Sequence, residues 1–281
     1  MQEAPIVALI YDFDKTLSPK DMQEYGFLPN LGIDPDAFWA DCRRFAVENR
    51  TDGVLAYMYM MRAASERAGR PLTREMLEKL GSTVEFYPGV EQWFDRVNRI
   101  GAEAGVQVEH YIISSGLKEI IDGSRIAGAF KAVFAASYVY DASGFAIWPA
   151  TDVNYTAKTQ YLFRINKGIL DVTNDVDLNN YTPEHKRRVP FKNMIYIGDG
   201  LTDVPCMKLC RANGGHSLAV YQDDRSVADD MIRQGRVDFT VPADYSENSK
   251  VEQTVFAVID QIQTHNETLR MHLRDREQAG C

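Results

Sequence analysis

The sequence is poor in cysteine: Cys42, Cys206, Cys210 and Cys281 are the four in 281 residues. They are too few and too scattered to form a disulfide framework. Cys206 and Cys210 stand at helical i,i+4 spacing, but two further ligands for a tetrahedral metal site are missing, so they read as thiols. No apolar stretch approaches the roughly 18 residues of a membrane span, and the opening Met1-Gln2-Glu3-Ala4-Pro5 lacks the basic segment of a secretory signal. The expectation is a cytoplasmic protein with no membrane partner. Basic runs and basic–aromatic interleaving are also absent, and the net charge is −9, which argues against a nucleic-acid partner. The histidines fall at unrelated positions and suggest neither a metal cluster nor a catalytic dyad. Internal repeats and low-complexity segments are lacking too. An acidic chain that handles anions must gather its positive charge locally.

The most informative segment runs from Ile6 to Leu17. Ile6, Val7, Ala8, Leu9, Ile10 and Tyr11 form a continuous apolar run, the pattern of a parallel strand covered on both faces. The run leads into Asp12-Phe13-Asp14-Lys15-Thr16, and the C-terminal ends of such strands are where α/β sheets carry their chemistry. Asp12 and Asp14 lie two apart, so in extended chain their side chains are expected to leave one face and converge. Two adjacent anions need a cation or a shared proton.

Beyond this strand, residues 18–86 carry helical periodicities, over Asp36 to Asn49, Gly53 to Arg67 and Leu72 to Leu80, and little strand-like alternation. The α/β pattern resumes at Tyr87-Pro88-Gly89. It continues with a helix from Val90, a strand from Val108 to Ile113, a hairpin of Ala132 to Val139 with Phe145 to Trp148, a helix from Lys158 to about Leu170, and a strand from Met194 to Ile197. A helix from Asp203, a strand near Ser217 to Val220, a helix near Ser226, a strand near Val237 to Val241 and a long helix after Ser249 complete it. The fold class is therefore α/β: a doubly wound, mostly parallel Rossmann-like sheet with an inserted all-helical domain. Residues 1–17 and 87–281 are expected to form the catalytic core, and residues 18–86 a helical cap, or lid, over its C-terminal edge.

Three further strand ends or helix starts carry complementary chemistry. Ser114, with the backbone N–H groups of Ser115 and Gly116 at an expected helix start, is placed to hold a phosphate oxygen. Lys158 stands at a helix start, where a cation opposes the helix dipole and so calls for an explanation. Gly198-Asp199-Gly200-Leu201-Thr202-Asp203 sets two carboxylates four residues apart around a glycine turn, where glycine permits the bend and the acids suit a hard cation.

In this order, the stations Asp12-x-Asp14-x-Thr16, Ser114, Lys158 and Gly198-Asp199-Gly200-x-x-Asp203 resemble the haloacid dehalogenase superfamily of phosphohydrolases. The resemblance covers about Val7 to Leu17 and Tyr87 to Asp203. The helical insertion, the return at Tyr87-Pro88-Gly89-Val90 and the Ser114-Ser115-Gly116 loop are similar to its phosphoserine phosphatase-like branch, with a helical type-one cap. What the resemblance implies is a Mg²⁺-dependent phosphatase acting on a small phosphorylated metabolite through an aspartyl-phosphate. It assigns Asp12 as nucleophile and Asp14 as general acid and base. Asp12, Asp14, Ser114, Ser115, Gly116 and Lys158 would meet the substrate. The metal would be held by the Asp12 carboxylate, the main-chain carbonyl of Asp14 and the Asp199 carboxylate, while Thr16 braces the first loop and Asp203 orients Lys158 or holds a metal water. Such a site answers a physical need, since a carboxylate attacking a phosphate dianion meets repulsion on the order of 8 kcal/mol, about six decades in rate.

Asp14-Lys15-Thr16 also resembles the phosphorylation motif of P-type ATPases, but strand register puts the nucleophile at Asp12 and no spans exist for a pump. The alternative from another class is a phospho-acceptor signalling or phosphate-binding module. Such receivers are short, lack a large insertion after the first acidic strand and lack Gly-Asp-Gly-x-x-Asp. Substrate choice is expected to lie in the insertion, with Glu24, Arg43, Arg44, Arg62 and Arg67 as candidate polar contacts and Tyr25, Phe27, Phe38, Trp39, Tyr57 and Tyr59 as a candidate apolar wall. Phosphoserine is one candidate substrate, although the surroundings of Glu24 depart from the phosphoserine-binding pattern.

Overall fold

A computed structural model describes residues 4–279; Cys281 lies outside them. The first strand, β1 (Ile6–Tyr11), is solvent-free from Val7 onward, as its unbroken apolar run requires of a strand covered on both faces. It lies in the middle of a seven-stranded sheet of order β4-β3-β2-β1-β5-β6-β7. The other strands are β2 (Gln107–Leu117), β3 (Ala132–Tyr140), β4 (Ala146–Thr151), β5 (Met194–Gly198), β6 (His216–Tyr221) and β7 (Phe239–Pro242). All neighbours pair in parallel except β3 and β4, which form the antiparallel hairpin at one edge. Because β1 has β2 on one side and β5 on the other, the chain reverses its direction of winding at β1. The crevice beyond the C-terminal end of β1 is therefore the switch point of the sheet.

Residues 18–86 contain α1 (Phe27–Leu31), α2 (Pro35–Asn49), α3 (Gly53–Arg67) and α4 (Arg74–Gly81). Asp34, Asp52 and Thr73 cap α2, α3 and α4 by accepting from the N–H groups of Ala37, Val54 and Met76. The later helices are α5 (Val90–Glu103), α6 (Lys118–Asp122), α7 (Lys158–Lys167), α8 (Asp175–Asn179), α9 (Val204–Ala212), α10 (Ser226–Arg233) and α11 (Lys250–Gln278). No helix among the described residues is long and apolar enough to cross a membrane. Cys206 and Cys210 are both buried thiols on α9.

The structure moves several sequence-based boundaries. Helix α7 ends at Lys167, short of Leu170, because Gly168 takes a left-handed conformation (φ 76°) and its N–H caps the carbonyls of Arg164 and Ile165. Strand β2 runs on to Leu117 through a bulge: Ser114 faces Ala135 and Leu117 faces Ala136, leaving Ser115 and Gly116 as the extra residues. The following helix starts at Lys118, so Ser115 and Gly116 lie in the bulge and their N–H groups are not at a helix start.

The apolar core of α1–α4 is continuous with that on one face of the sheet. Phe38, Met58, Met61 and Leu77 belong to the same buried cluster as Tyr11, Trp93 and Val255. The β3–β4 hairpin grips these helices through main-chain acceptors. Tyr138 Oη donates to the Met58 carbonyl (2.7 Å), Arg62 donates to the Ile147 carbonyl (2.8 Å) and the Ala146 N–H donates to the Leu72 carbonyl (2.8 Å). A net gain of about 1 kcal/mol per such bond is enough to orient helices already held by burial.

Candidate active site

Strand β1 delivers Asp12 to the crevice and stops there. The Asp12 N–H still donates to the Ile197 carbonyl of β5, but the Leu17 N–H turns back onto the Phe13 carbonyl and Lys15 adopts φ 58°. The chain thus curls after Phe13, and the two carboxylates make different contacts. Asp12 faces Lys158, whereas Asp14 turns to accept from the Met22 N–H (2.9 Å).

Asp12, Asp199 and Asp203 converge, each placing one carboxylate oxygen within 4.8 Å of the others. Lys158, projecting from the first residue of α7, is fully buried, with Nζ 3.0 Å from Asp12 Oδ1 and 2.8 Å from Asp203 Oδ1. This explains a cation at a helix start: two carboxylates outweigh the helix dipole. They also hold the Lys158 ammonium well above the usual lysine range against the opposing effect of burial. Asp203 is fully satisfied, accepting from Lys158, from Tyr196 Oη (2.8 Å) and from the Gly200 N–H (3.3 Å). Asp12 Oδ1, despite its ion pair, has no hydrogen bond of proper angle and remains a buried open acceptor.

Three carboxylates against one ammonium leave the cluster short of positive charge. Burial pushes the Asp12 carboxyl up to about 6, with Lys158 pulling it down and Asp203 pushing it further up. Burial, Asp203 and Asp12 raise Asp199 well above the carboxylate range. An open acceptor and underpaired acids among hard oxygen donors fit a divalent cation. Thr16 braces this arrangement, donating from Oγ1 to Asp199 Oδ1 at 3.3 Å, while Tyr245 Oη donates to the Thr16 carbonyl.

Gly198 contributes by its size and not by a special backbone conformation, since its φ is not positive. A Cβ there would lie 2.5 Å from Asp203 Cγ, so the glycine makes room for the carboxylate that holds Lys158. Ser114 is buried on β2 and its Oγ accepts from the Gly116 N–H at 3.0 Å, closing the bulge on itself. The Ser115 carbonyl accepts from Tyr57 Oη at 2.7 Å, tying α3 to the bulge. A Cβ on Gly116 would strike Met22 and come within 2.9 Å of Asp14 Oδ2, so Gly116 permits the close approach of that loop.

A cavity of about 220 Å³ opens on the Asp14 side, lined by Asp14, Ser115 and Gly116 from the sheet edge and by Gln23, Trp39 and Tyr57 from the insertion. Asp14 is raised well above the carboxylate range, first by burial and then by Asp21 and Asp12. A second, wider cleft of about 640 Å³ runs past Asp199 and Lys15. Of the candidate contacts in the insertion, Trp39 and Tyr57 reach the smaller cavity. Glu24 accepts from Trp39 Nε1 (3.0 Å) and so positions that ring. Phe27 and Phe38 are core, Tyr25 bonds to Ser18, and Tyr59 stacks on Phe45 away from the site. Arg44 pairs with Asp41, Arg62 with Glu66 and the Ile147 carbonyl, and Arg43 and Arg67 are exposed. Tyr196, Asp21, Gln23 and Asp52 carried no local signal. Tyr196 reads as one more apolar strand residue, and the other three matter only through what the fold sets against them.

A strand-end aspartate at the switch point, a buried lysine and a Gly-Asp-Gly-x-x-Asp loop converging on it define a hydrolase of the haloacid dehalogenase type. A family model described as haloacid dehalogenase-like hydrolase matches residues 9–208, and the chain belongs to that family. A relative from Borreliella burgdorferi, described only as an uncharacterized protein, is 28% identical over 278 residues, covering 88% of this chain and 94% of its own length. Among solved structures, a probable phosphoserine phosphatase from Vibrio cholerae superposes with a TM-score of 0.58 at 11% identity, covering 94% of this chain and 69% of that one. A HAD family hydrolase from Salmonella enterica serovar Typhi gives 0.55 at 15% identity, covering 86% of this chain and 69% of that one. A substrate-bound phosphoserine phosphatase gives 0.53 at 12% identity, covering 91% and 98%. At these identities the likeness is one of fold.

Proposed function

We propose that the protein is a phosphatase that hydrolyses a small phosphorylated metabolite, a phosphomonoester, through an aspartyl-phosphate on Asp12. The observation that carries this reading is the placing of Lys158 and two further carboxylates around Asp12, with Asp14, two residues along the same loop, lining a small cavity. The named phosphoserine phosphatases of similar fold support the same reaction class. The helices of residues 18–86 are read as a cap whose closure would shield the reacting groups from water.

The residues divide the work as follows. Asp12 attacks phosphorus, and the P–O bond to the alcohol breaks as the new P–O bond to the carboxylate forms. Asp14, kept protonated by its burial and its acidic neighbours, gives its proton to the departing alcohol oxygen. As a carboxylate it then takes a proton from the water that attacks the phosphorus of the acyl phosphate, which restores Asp12. Ser114 and the bulge N–H groups of Ser115 and Gly116 are the donors for the transferred phosphoryl oxygens, the Gly116 N–H exchanging its bond to Ser114 Oγ for one to the substrate. Lys158, held by Asp203, places a fixed ammonium beside the reacting carboxylate and stabilises the anionic transition state. Mg²⁺ is the cation we assign, to be held by the Asp12 and Asp199 carboxylates and the Asp14 main-chain carbonyl. When bound it would neutralise the charge that Lys158 alone cannot offset.

The test is hydrolysis of p-nitrophenyl phosphate by the purified chain, with Mg²⁺ and after chelation, alongside Asp12→Asn. Steady Mg²⁺-dependent turnover that Asp12→Asn abolishes is the expected result. A single stoichiometric phosphorylation without turnover would instead identify a phospho-acceptor switch.

A further inference from the structure

The cavity beside Asp14 has a composition that bears on the leaving group. Besides Asp14 it is lined by two more carboxylates, Asp21 and Asp52, and no lysine, arginine or histidine lines it. Asp52 is held by neutral donors alone, the Val54 N–H at 2.7 Å and Asn154 Nδ2 at 2.6 Å, so its charge is fixed in place and left uncompensated. Asp21 shares its charge with Lys15, whose half-exposed side chain belongs to the wider cleft on the other side of the loop.

Gln23 supplies an independent observation. It is 2% exposed and lines the same cavity, yet its Oε1 has no hydrogen-bond partner. Buried acceptors in folded proteins are almost always paired, so this oxygen lacks a donor that the chain does not provide. Trp39 and Tyr57 stand at 73° with ring centroids 5.9 Å apart and form an aromatic corner of the cavity. Aromatic faces attract cations.

We propose that the alcohol released from the phosphomonoester is a small one bearing an ammonium group, with Asp52, Asp21 and Gln23 Oε1 accepting from it or facing its charge and the Trp39–Tyr57 corner packing against it. This inference rests on the phosphatase reading. The volume of about 220 Å³ is below the roughly 300–1,000 Å³ of cavities for drug-sized ligands, which suits a small leaving group. A second anionic group on the substrate would meet carboxylates and no cationic side chain, because Arg43, Arg44, Arg62 and Arg67 all lie outside the cavity. The same argument turns away from phosphoserine, whose carboxylate has no cationic partner here.

Three matched esters read the charge directly: 2-aminoethyl phosphate, 2-hydroxyethyl phosphate, which replaces the ammonium by a hydroxyl of similar size, and phosphoglycolate, which carries a carboxylate. With Mg²⁺ at saturation, kcat/KM for the aminoethyl ester is expected to exceed both others by tenfold or more. Asp52→Asn keeps an oxygen to cap α3 and is expected to lower the aminoethyl-to-hydroxyethyl ratio at least fivefold, chiefly through KM. Because both substrates are measured on one preparation, that ratio does not depend on how much of the variant folds, and Asp21→Asn provides a second reading. Equal or reversed preference, with p-nitrophenyl phosphate still turned over, overturns the ammonium inference and leaves the phosphatase standing. A ratio unmoved in both variants also overturns it, and failure to hydrolyse any ester overturns both readings.

Discussion

Lys158 Nζ lies 2.8 Å from Asp203 Oδ1, and solvent reaches neither side chain. Removing one member of a buried pair leaves the other uncompensated, at a cost of about 3–5 kcal/mol. Asp203→Asn is therefore expected to lower stability by about 3 kcal/mol and to release the ammonium that stands beside Asp12. Urea unfolding of Asp203→Asn, Lys158→Met and the double variant checks this. A coupling free energy under about 0.5 kcal/mol would mean that the two residues do not act as a pair.

Asp14 is set apart from the carboxylate cluster, and the consequence is kinetic. A nitrophenolate leaves without a proton, so Asp14→Asn should still transfer phosphoryl to Asp12 from p-nitrophenyl phosphate. Hydrolysis of the intermediate, which needs the base, should slow by about 10²–10⁴-fold. Acid-quenched enzyme incubated with labelled substrate should then hold close to one phosphate per chain. Labelling no greater than that of the native chain would remove Asp14 from this role.

Gly198 gives a steric prediction. Its missing Cβ is the space occupied by the Asp203 side chain, which Lys158, Tyr196 Oη and the Gly200 N–H hold in place. Gly198→Ala should displace Asp203, cost about 1–3 kcal/mol by overpacking, and lower turnover on the order of 100-fold through the misplaced Lys158. Thermal melts and kcat measured together distinguish this outcome from a neutral substitution.

His110 gives a prediction for acid stability. The ring is buried on β2, with Nδ1 3.0 Å from Tyr11 Oη and Nε2 3.1 Å from Asn98 Oδ1, while Trp93 Nε1 donates to Tyr11 Oη. Burial pushes its pKa down to about 3, against about 6.5 in the unfolded chain. Below pH 6.5 the unfolded state binds the extra proton, so the contribution of His110 is full above that pH. It is lost as pH falls toward 3, at up to about 1.4 kcal/mol per pH unit. Asp12, Asp14 and Asp199, with raised pKa values, act in the opposite sense. The difference between the native chain and His110→Gln, followed by urea unfolding from pH 7 to pH 4, isolates the histidine. Parallel profiles for the two would show that His110 is not buried neutral.

How much was legible follows the range of the interactions. The run from Ile6 to Tyr11 announces a buried strand, because a strand covered on both faces has no room for polar residues, whatever its neighbours. The order Asp12, Ser114, Lys158, Asp199, Asp203 is likewise written along the chain, each at a strand end or helix start. The paths of short segments between such points are not. The curl from Phe13 to Leu17 turns Asp14 onto the Met22 N–H, and the bulge at Ser115 and Gly116 carries the strand on to Leu117 before the helix begins. In both cases main-chain hydrogen bonds to one particular partner outweigh the local pattern.

The sequence by itself determined the parallel sheet, the helical insertion after its first strand and a set of acids suited to a cation, since hydrophobic periodicity and like-charge repulsion act whatever the final geometry. Only the tertiary structure decided which acids stand together, that Asp203 holds Lys158 while Asp14 faces a separate cavity, and that Gln23, Trp39 and Asp52 meet there. Those juxtapositions come from packing residues distant in sequence into one core, where a contact depends on the positions of both partners and neither one encodes it alone.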